Sequence, residues 1–166
     1  MKLVYQRFDS FAAEYDFMAS LQPKNDFFFN NLSRNRSAVL DIGCGSGILA
    51  FELAKHYQKV VAIDICQEML DIAKVKRSAA NIQYLLMDAE NLTLDEKFDL
   101  ITSANTFHHI QKLPATLQKI TKLLKPGGKV VFLDNVLQVE TPATIVYVLV
   151  LISAIATPPQ PNQKGK

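Results

Sequence analysis

The residues best suited to chemistry are Asp41-Ile42-Gly43-Cys44-Gly45-Ser46-Gly47, an acid followed by three glycines at alternate positions. A loop that carries its backbone against a ligand calls for this composition. Glycine takes positive φ at little cost and has no side chain to hold the ligand off. Seventeen residues past Gly47, the apolar run Val60-Val61-Ala62-Ile63 ends in Asp64. An acid at about 20 residues from such glycines can accept hydrogen bonds from both ribose hydroxyls of an adenosine. His108 and His109 follow a later apolar run, and a neutral imidazole there can take a proton from a hydroxyl acceptor. Two adjacent histidines point in different directions, so at most one is expected to reach a shared site.

The spacing also separates ligand classes. A dinucleotide fingerprint reads G-x-G-x-x-G and rests a pyrophosphate on the next helix. Here the pattern is G-x-G-x-G, with Ile48 where the last fingerprint glycine would fall. The loop resembles instead the first motif of the class I S-adenosylmethionine-dependent methyltransferases, acid-x-G-x-G-x-G. Further segments match that family in order: Asp64 ending the second strand, Leu86-Met87-Asp88-Ala89 ending the third, Phe98 to Ser103 as the fourth, and Leu123-Leu124-Lys125-Pro126-Gly127-Gly128 as the turn before the fifth. Phe8-Asp9-Ser10-Phe11-Ala12-Ala13-Glu14-Tyr15-Asp16 is similar to the lid of the small-molecule branch, which includes quinone-biosynthesis (type 11) enzymes.

The resemblance implies S-adenosylmethionine as methyl donor and in-line transfer to a small-molecule acceptor at O, C or N. It places the backbone of Gly43, Gly45 and Gly47 along the methionine part of the donor, with Asp41 positioning that end. Asp64 takes the ribose and Ile65 packs on the adenine. Asp88 reaches the adenine amino group, and Ala89 adds a backbone contact. Ser103 and Asn105 open toward the sulfonium, and Tyr15 reaches over from the lid. His108 and His109 are the candidates for a base. No nucleophilic residue and no metal is called for. Asn105 is followed by Thr106-Phe107, so the Asn/Asp-Pro-Pro-aromatic motif of nucleic-acid amino-methylating enzymes is absent. Each acid also has an ordinary alternative as a helix cap or turn residue.

These residues need strands to deliver them. Apolar runs at 38–42, 60–63, 82–87, 98–103 and 129–133 read as strands. Helical stripes lie between them: Leu49, Leu53 and Tyr57; Met69, Ile72 and Ala73; Leu113, Leu117, Ile120 and Leu124. Alternation at this length predicts an α/β, Rossmann-like, doubly wound sheet, mainly parallel, with helices on both faces and the ligand across the strands' carboxyl ends. Phe8, Phe11, Ala12, Tyr15 and Met18 form one helical apolar stripe near the start. Phe27, Phe28 and Phe29 cannot all face one core. The expected organisation is a helical lid over 1–36, a donor-binding domain over 37–156 and a disordered tail over 157–166.

The resemblance further calls for a helix and an antiparallel strand pair after Asn135, so the sheet is expected to be incomplete at its C-terminal end. The apolar run 143–156 has three readings: a helix over the sheet, a strand beside the fifth, or a membrane or partner contact. At 14 residues it is shorter than the roughly 20 that a spanning helix needs. A net charge of +2 with dispersed lysines gives no case for nucleic acid. The two cysteines, Cys44 and Cys66, are too few for a disulfide framework. With no apolar leader in Met1 to Arg7, the chain reads as cytoplasmic. Two other function classes remain open: a protein that holds the donor without turnover, and a nicotinamide-dependent oxidoreductase on a similar sheet.

Overall fold

A computed structural model describes residues 11–21, 26–137 and 145–153. Two helices, α1 (Ala12–Ser20) and α2 (Asp26–Asn30), precede an alternating unit. That unit runs β1 (Ala38–Ile42), α3 (Ile48–Leu53), β2 (Lys59–Asp64), α4 (Gln67–Lys76) and β3 (Ile82–Leu86). It continues through β4 (Phe98–Ala104), α5 (Leu113–Lys122), β5 (Leu124–Leu137) and β6 (Ile145–Ser153). Short 3₁₀ turns occupy Ala89–Asn91 and Phe107–His109. The strands form one sheet in the order β3-β2-β1-β4-β5-β6. Strands β1 to β5 are parallel, and β6 runs antiparallel to β5.

Strand β1 is central and buried along its whole length. Successive side chains of a strand point to opposite faces, and both faces of β1 are covered. Leu40 and Ile42 join Val61, Ile101 and Ile120 in one apolar cluster beneath α5. Val39 joins Ala50, Leu53, Leu70 and Phe28 in the other, beneath α3, α4 and α2. A strand covered on both sides reads as an unbroken apolar run, so the run at 38–42 was legible. Asp41 falls on the α3/α4 face, two residues from Val39. Of the three phenylalanines only Phe28 is fully buried; Phe27 and Phe29 are half-buried.

Several expectations change. Leu124 is not the last residue of the helical stripe: α5 ends at Lys122. Leu124 instead opens β5 opposite Phe98, and the register then shifts before Lys129 pairs with Leu100. The irregularity sits at Pro126-Gly127-Gly128, where Gly127 has φ +75° and a Cβ on Gly128 would lie 2.9 Å from the Phe98 carbonyl. The Pro-Gly-Gly segment is thus a bulge inside a strand rather than a turn in front of one. The apolar run 143–156 supplies β6, so it is neither a helix over the sheet nor a spanning helix. No helix among the described residues is long and apolar enough to cross a membrane. Of the early stripe, Phe11 and Met18 face outward and Tyr15 is half-exposed, while Ala12 is buried, and with it Asp16. Phe8 and the tail at 157–166 lie outside the described residues.

Candidate active site

The carboxyl ends of β1, β2, β3 and β4 border a cleft of about 840 Å³, part of it open to solvent. At its floor, the chain leaves β1 through the glycine loop. The amides of Gly43 and Cys44 both donate to the Ile63 carbonyl, at 2.8 and 3.0 Å, which pins the loop to β2. Gly43 has φ +68°, and a Cβ there would lie 2.1 Å from the Thr106 hydroxyl. Close packing of the loops after β1 and β4 therefore requires glycine. Gly45, at φ +52°, lines the cleft, and a Cβ on it would meet no atom within 4 Å.

Asp64 closes the second side. Its Oδ2 accepts the Gly45 amide at 2.7 Å and its Oδ1 accepts the Cys66 amide at 2.9 Å. A carboxylate offers about four lone-pair directions, so these bonds orient Asp64 and leave capacity facing the cleft. Burial pushes its pKa up, against the amides of Cys66, Gly45 and Ile65. Ile65, next along, lines the cleft and is 38% exposed. Tyr15 of α1 also lines it; burial raises its phenol pKa, with the charge of Asp64 adding to the shift.

The loop after β3 brings Asp88, Ala89 and Glu90 to the cleft. Asp88 caps its own 3₁₀ turn, accepting the Glu90 amide at 2.8 Å and the Asn91 side chain at 2.9 Å. The loop after β4 contributes Asn105, Thr106 and His109. Asn105 has φ +53°, a left-handed conformation that asparagine tolerates better than most residues. Its amide donates to the Leu133 carbonyl at 2.8 Å, which ties the turn to β5.

Four sequence-derived candidates lie off the cleft: Gly47, Ser103, His108 and Asp41. Gly47 begins α3, where a Cβ would lie 2.6 Å from the Tyr84 hydroxyl and 3.0 Å from Ala73, so close packing there calls for glycine. Ser103 is buried and donates to the Ile42 carbonyl at 2.9 Å, bridging β4 to β1. His108 is held away by Asp134 of β5, which accepts its backbone amide at 3.0 Å and pairs with its Nδ1 at 2.5 Å. His109 is the imidazole that reaches the cleft, its ring centroid 3.8 Å from that of His108. Burial lowers the His109 pKa, and His108 lowers it further against the opposing charge of Asp134.

Asp41 stands behind the loop, 1% exposed. Thr102 donates to its Oδ1 at 2.9 Å, while its Oδ2 has no hydrogen-bond partner among the described residues. Burial drives its pKa up to about 7, partly offset by Thr102 and reinforced by Asp64. A buried carboxylate oxygen without a donor is costly unless something positive or proton-bearing meets it. Cys44 and Cys66 are both buried thiols. Among the described residues no group of His, Cys, Asp and Glu could hold a metal.

Sequence reasoning missed Thr106, Glu90, Cys66 and Met87, all of which line the cleft. Each lies within four residues of a strand's carboxyl end, which was the available signal. The cleft as a whole has a clear electrostatic sense. Asp64, Asp88 and Glu90 line it, and among the described residues no lysine or arginine does.

A glycine loop, a ribose-spaced acid and an acidic cleft at the carboxyl ends of a doubly wound sheet define a nucleoside-binding α/β protein. The chain belongs to the methyltransferase domain family, whose model matches residues 40–132. It is 34% identical over 138 residues to a malonyl-[acyl-carrier protein] O-methyltransferase of Priestia megaterium, covering 79% of this chain and 50% of that protein. It is 38% identical over 97 residues to ubiquinone biosynthesis O-methyltransferases of Coxiella burnetii, covering 57% of this chain and 42% of those proteins. The chain thus spans about half the length of the curated relatives it matches. Among solved structures it is similar to the N-methyltransferase NodS of Bradyrhizobium japonicum in complex with S-adenosylhomocysteine, with TM-score 0.57 and 26% identity over 60% of this chain and 53% of that one. A DhpI–SAM–HEP complex shares the fold at TM-score 0.68 and 21% identity, over 92% of this chain and 81% of that one.

Proposed function

We propose that the chain binds S-adenosylmethionine in this cleft and transfers its methyl group to the oxygen of a small molecule. The observation that carries the reading is the cleft's charge: three carboxylates, no lysine or arginine among the described lining residues, and the orphaned Asp41 oxygen behind the loop. That environment suits a sulfonium cation with an ammonium group. It opposes a pyrophosphate, and with it both a nicotinamide dinucleotide and a polynucleotide acceptor. Family membership and the O-methyltransferase names of the relatives support the reaction class and the oxygen acceptor.

When bound, the donor supplies an activated methyl group on a cationic sulfur. The protein then has to orient two molecules and exclude water. Asp64 accepts from the ribose hydroxyls, having been turned toward them by the Gly45 and Cys66 amides. Ile65 covers the adenine, and Asp88 and Ala89 meet its edge. The backbone of Gly43 and Gly45 passes along the methionine part, with the Asp41 charge behind it. Asn105 and Thr106 border the space left for the acceptor. His109, neutral because burial and His108 lower its pKa, accepts the hydroxyl proton; Asp134 holds the histidine pair through His108.

Calorimetric titration with S-adenosylhomocysteine tests this. Saturable binding in the micromolar range is expected, with NADH binding weaker or absent. A folded chain that binds NADH more tightly than S-adenosylhomocysteine would overturn the assignment.

A further inference from the structure

Helix α1 is seated in an unusual way. Its large apolar side chains turn outward, with Phe11 57%, Phe17 62% and Met18 62% exposed. What it buries is Ala12, against Cys66 and Met69, and the carboxylate of Asp16, 3% exposed. Apolar burial on that scale is slight, so the ionic contact has to hold the helix. Asp16 Oδ2 accepts Lys76 Nζ at 2.7 Å, its Oδ1 pairs with the Arg77 guanidinium at 2.6 Å, and the Ser46 hydroxyl also hydrogen-bonds to it. Burial raises the Asp16 pKa, but these donors outweigh it and hold the acid below its ordinary value.

Arg77 has a second partner. Its guanidinium donates to the Ser46 carbonyl at 2.9 Å, and the Arg77 carbonyl accepts the Tyr84 hydroxyl at 2.8 Å. That tyrosine is the one standing against Gly47. The end of α4 therefore grips the lid helix on one side and the glycine loop on the other. The contacts close into a ring. Tyr15, next to Asp16, stands by Asp64; Asp64 holds the Gly45 amide; Ser46 follows and returns to Asp16 and Arg77.

We propose that Asp16 and Arg77 are positioning residues that tie the seat of α1 to the conformation of the glycine loop, and so set the affinity of the donor site from outside it. The part concerning the donor rests on the function proposed above; the part joining the helix to the loop does not. Coupling between two segments is reciprocal: a ligand that orders the loop tightens the helix, and freeing the helix loosens the loop. Removing one partner from a buried ion pair leaves the other charge uncompensated, so Asp16→Asn should release both elements together.

Hydrogen exchange of the ligand-free chain is the first arm. Asp16→Asn should speed exchange in 11–21 and in 43–48 while leaving β4 and α5 unchanged. Faster exchange in the helix alone, or in neither segment, would overturn the coupling. If Asp16→Asn fails to fold, Arg77→Met removes the guanidinium nitrogen that meets both Asp16 and Ser46, and the same two segments should respond. The second arm is calorimetry with S-adenosylhomocysteine. Asp16→Asn should weaken binding about tenfold. Tyr15→Phe should weaken it in the wild type but add nothing in the Asp16→Asn background. Additive effects would show that Asp16 does not act by placing the helix that carries Tyr15. Absence of binding to the wild-type chain would refute the donor reading, and the exchange arm would still decide the link between helix and loop.

Discussion

Asp41 and Asp99 sit on adjacent strands, both almost without solvent exposure, and live in opposite worlds. Asp99 lies at the amino end of β4 and accepts the Ser37 amide, the Ser37 hydroxyl, the Ala38 amide and Lys125, at 2.6 to 3.0 Å. Burial raises its pKa, yet those donors outweigh burial and hold the carboxyl below its ordinary value. Asp41 lies at the carboxyl end of β1 with one hydroxyl donor and one orphaned oxygen, and its pKa is pushed up to about 7. Both side chains are hidden from solvent, but Asp41 lies deeper in the protein, so burial costs it more; Asp99 is satisfied by its own donors while Asp41 keeps an orphaned oxygen. Nothing in the folding of a parallel sheet demands that difference. It marks the carboxyl end as the place where the protein holds polar groups in reserve for a ligand, whereas the amino end is finished by its own side chains.

The contrast is broken most severely at Asp99. Asp99→Ala removes the acceptor of two amides, a hydroxyl and a lysine; the buried Ala38 amide is left without its partner, while Ser37 and Lys125 can turn to solvent. The expected loss is ~3–5 kcal/mol of stability, from four hydrogen bonds to a charged acceptor at about 1 kcal/mol each, read as a lower urea midpoint at pH 7. Because the folded pKa lies below the unfolded value of about 3.9, this contribution is complete above roughly pH 4. It is lost as pH falls through the folded pKa, so wild type and variant should converge in acid. A gap that persists undiminished to low pH would assign the loss to packing rather than charge.

How far the sequence foretold this difference depends on the range of the forces involved. The glycine loop, the ends of β1 to β4 and the acids there could be read because their signals are local: apolar runs of strand length ending in an acid or glycine. The same logic found Asp64 on the cleft, and it put at most one of the two histidines there. It singled out Asp41 but gave no sign of how Asp99 is satisfied, because the donors to Asp99 lie 61 to 62 residues earlier in the chain and one, Lys125, lies 26 residues later. The resemblance implies roles for Ser103 and for the Gly47 backbone, but it carries no signal for the bond from Ser103 to the Ile42 carbonyl or for the packing of Tyr84 against Gly47. Asp16 lies 60 residues from Lys76, and its burial beneath an outward-facing apolar stripe inverts the pattern that periodicity relies on. The strand at β6 was one of three readings since a continuous apolar run carries no period.

At Asp41 the expected effect is somewhat smaller and has the opposite sign. A carboxyl whose folded pKa is about 7 binds its proton more tightly folded than unfolded. Its cost to stability is absent below pH 4 and grows until it is complete above pH 7. Asp41→Asn should remove that cost and stabilise the ligand-free chain at pH 8 by up to ~4 kcal/mol, at ~1.36 kcal/mol per pKa unit. Little change is expected at pH 4. The same variant should weaken S-adenosylhomocysteine, since the charge behind the methionine part is gone. Urea unfolding at the two pH values checks the first claim. Equal stabilities at pH 8 would mean that solvent reaches the orphaned oxygen, and the contrast with Asp99 would collapse.

Asp64 lies between these extremes and sharpens the comparison. It is partly satisfied by the Gly45 and Cys66 amides, yet it faces the cleft and its pKa is raised. A ligand hydroxyl on such a carboxylate forms a charged hydrogen bond worth ~1.5–3 kcal/mol. Asp64→Asn keeps the side-chain shape but only one acceptor oxygen, so either the Gly45 or the Cys66 amide loses its partner; stability should fall by ~1–3 kcal/mol, while S-adenosylhomocysteine affinity falls about 10- to 100-fold. Asp64→Ala frees both amides, so it should lose both affinity and loop order. Calorimetry of the two variants separates the roles. If the asparagine binds as the wild type does and only the alanine is weakened, Asp64 belongs with Asp99, as an acid satisfied by its own protein, and the ribose rests elsewhere.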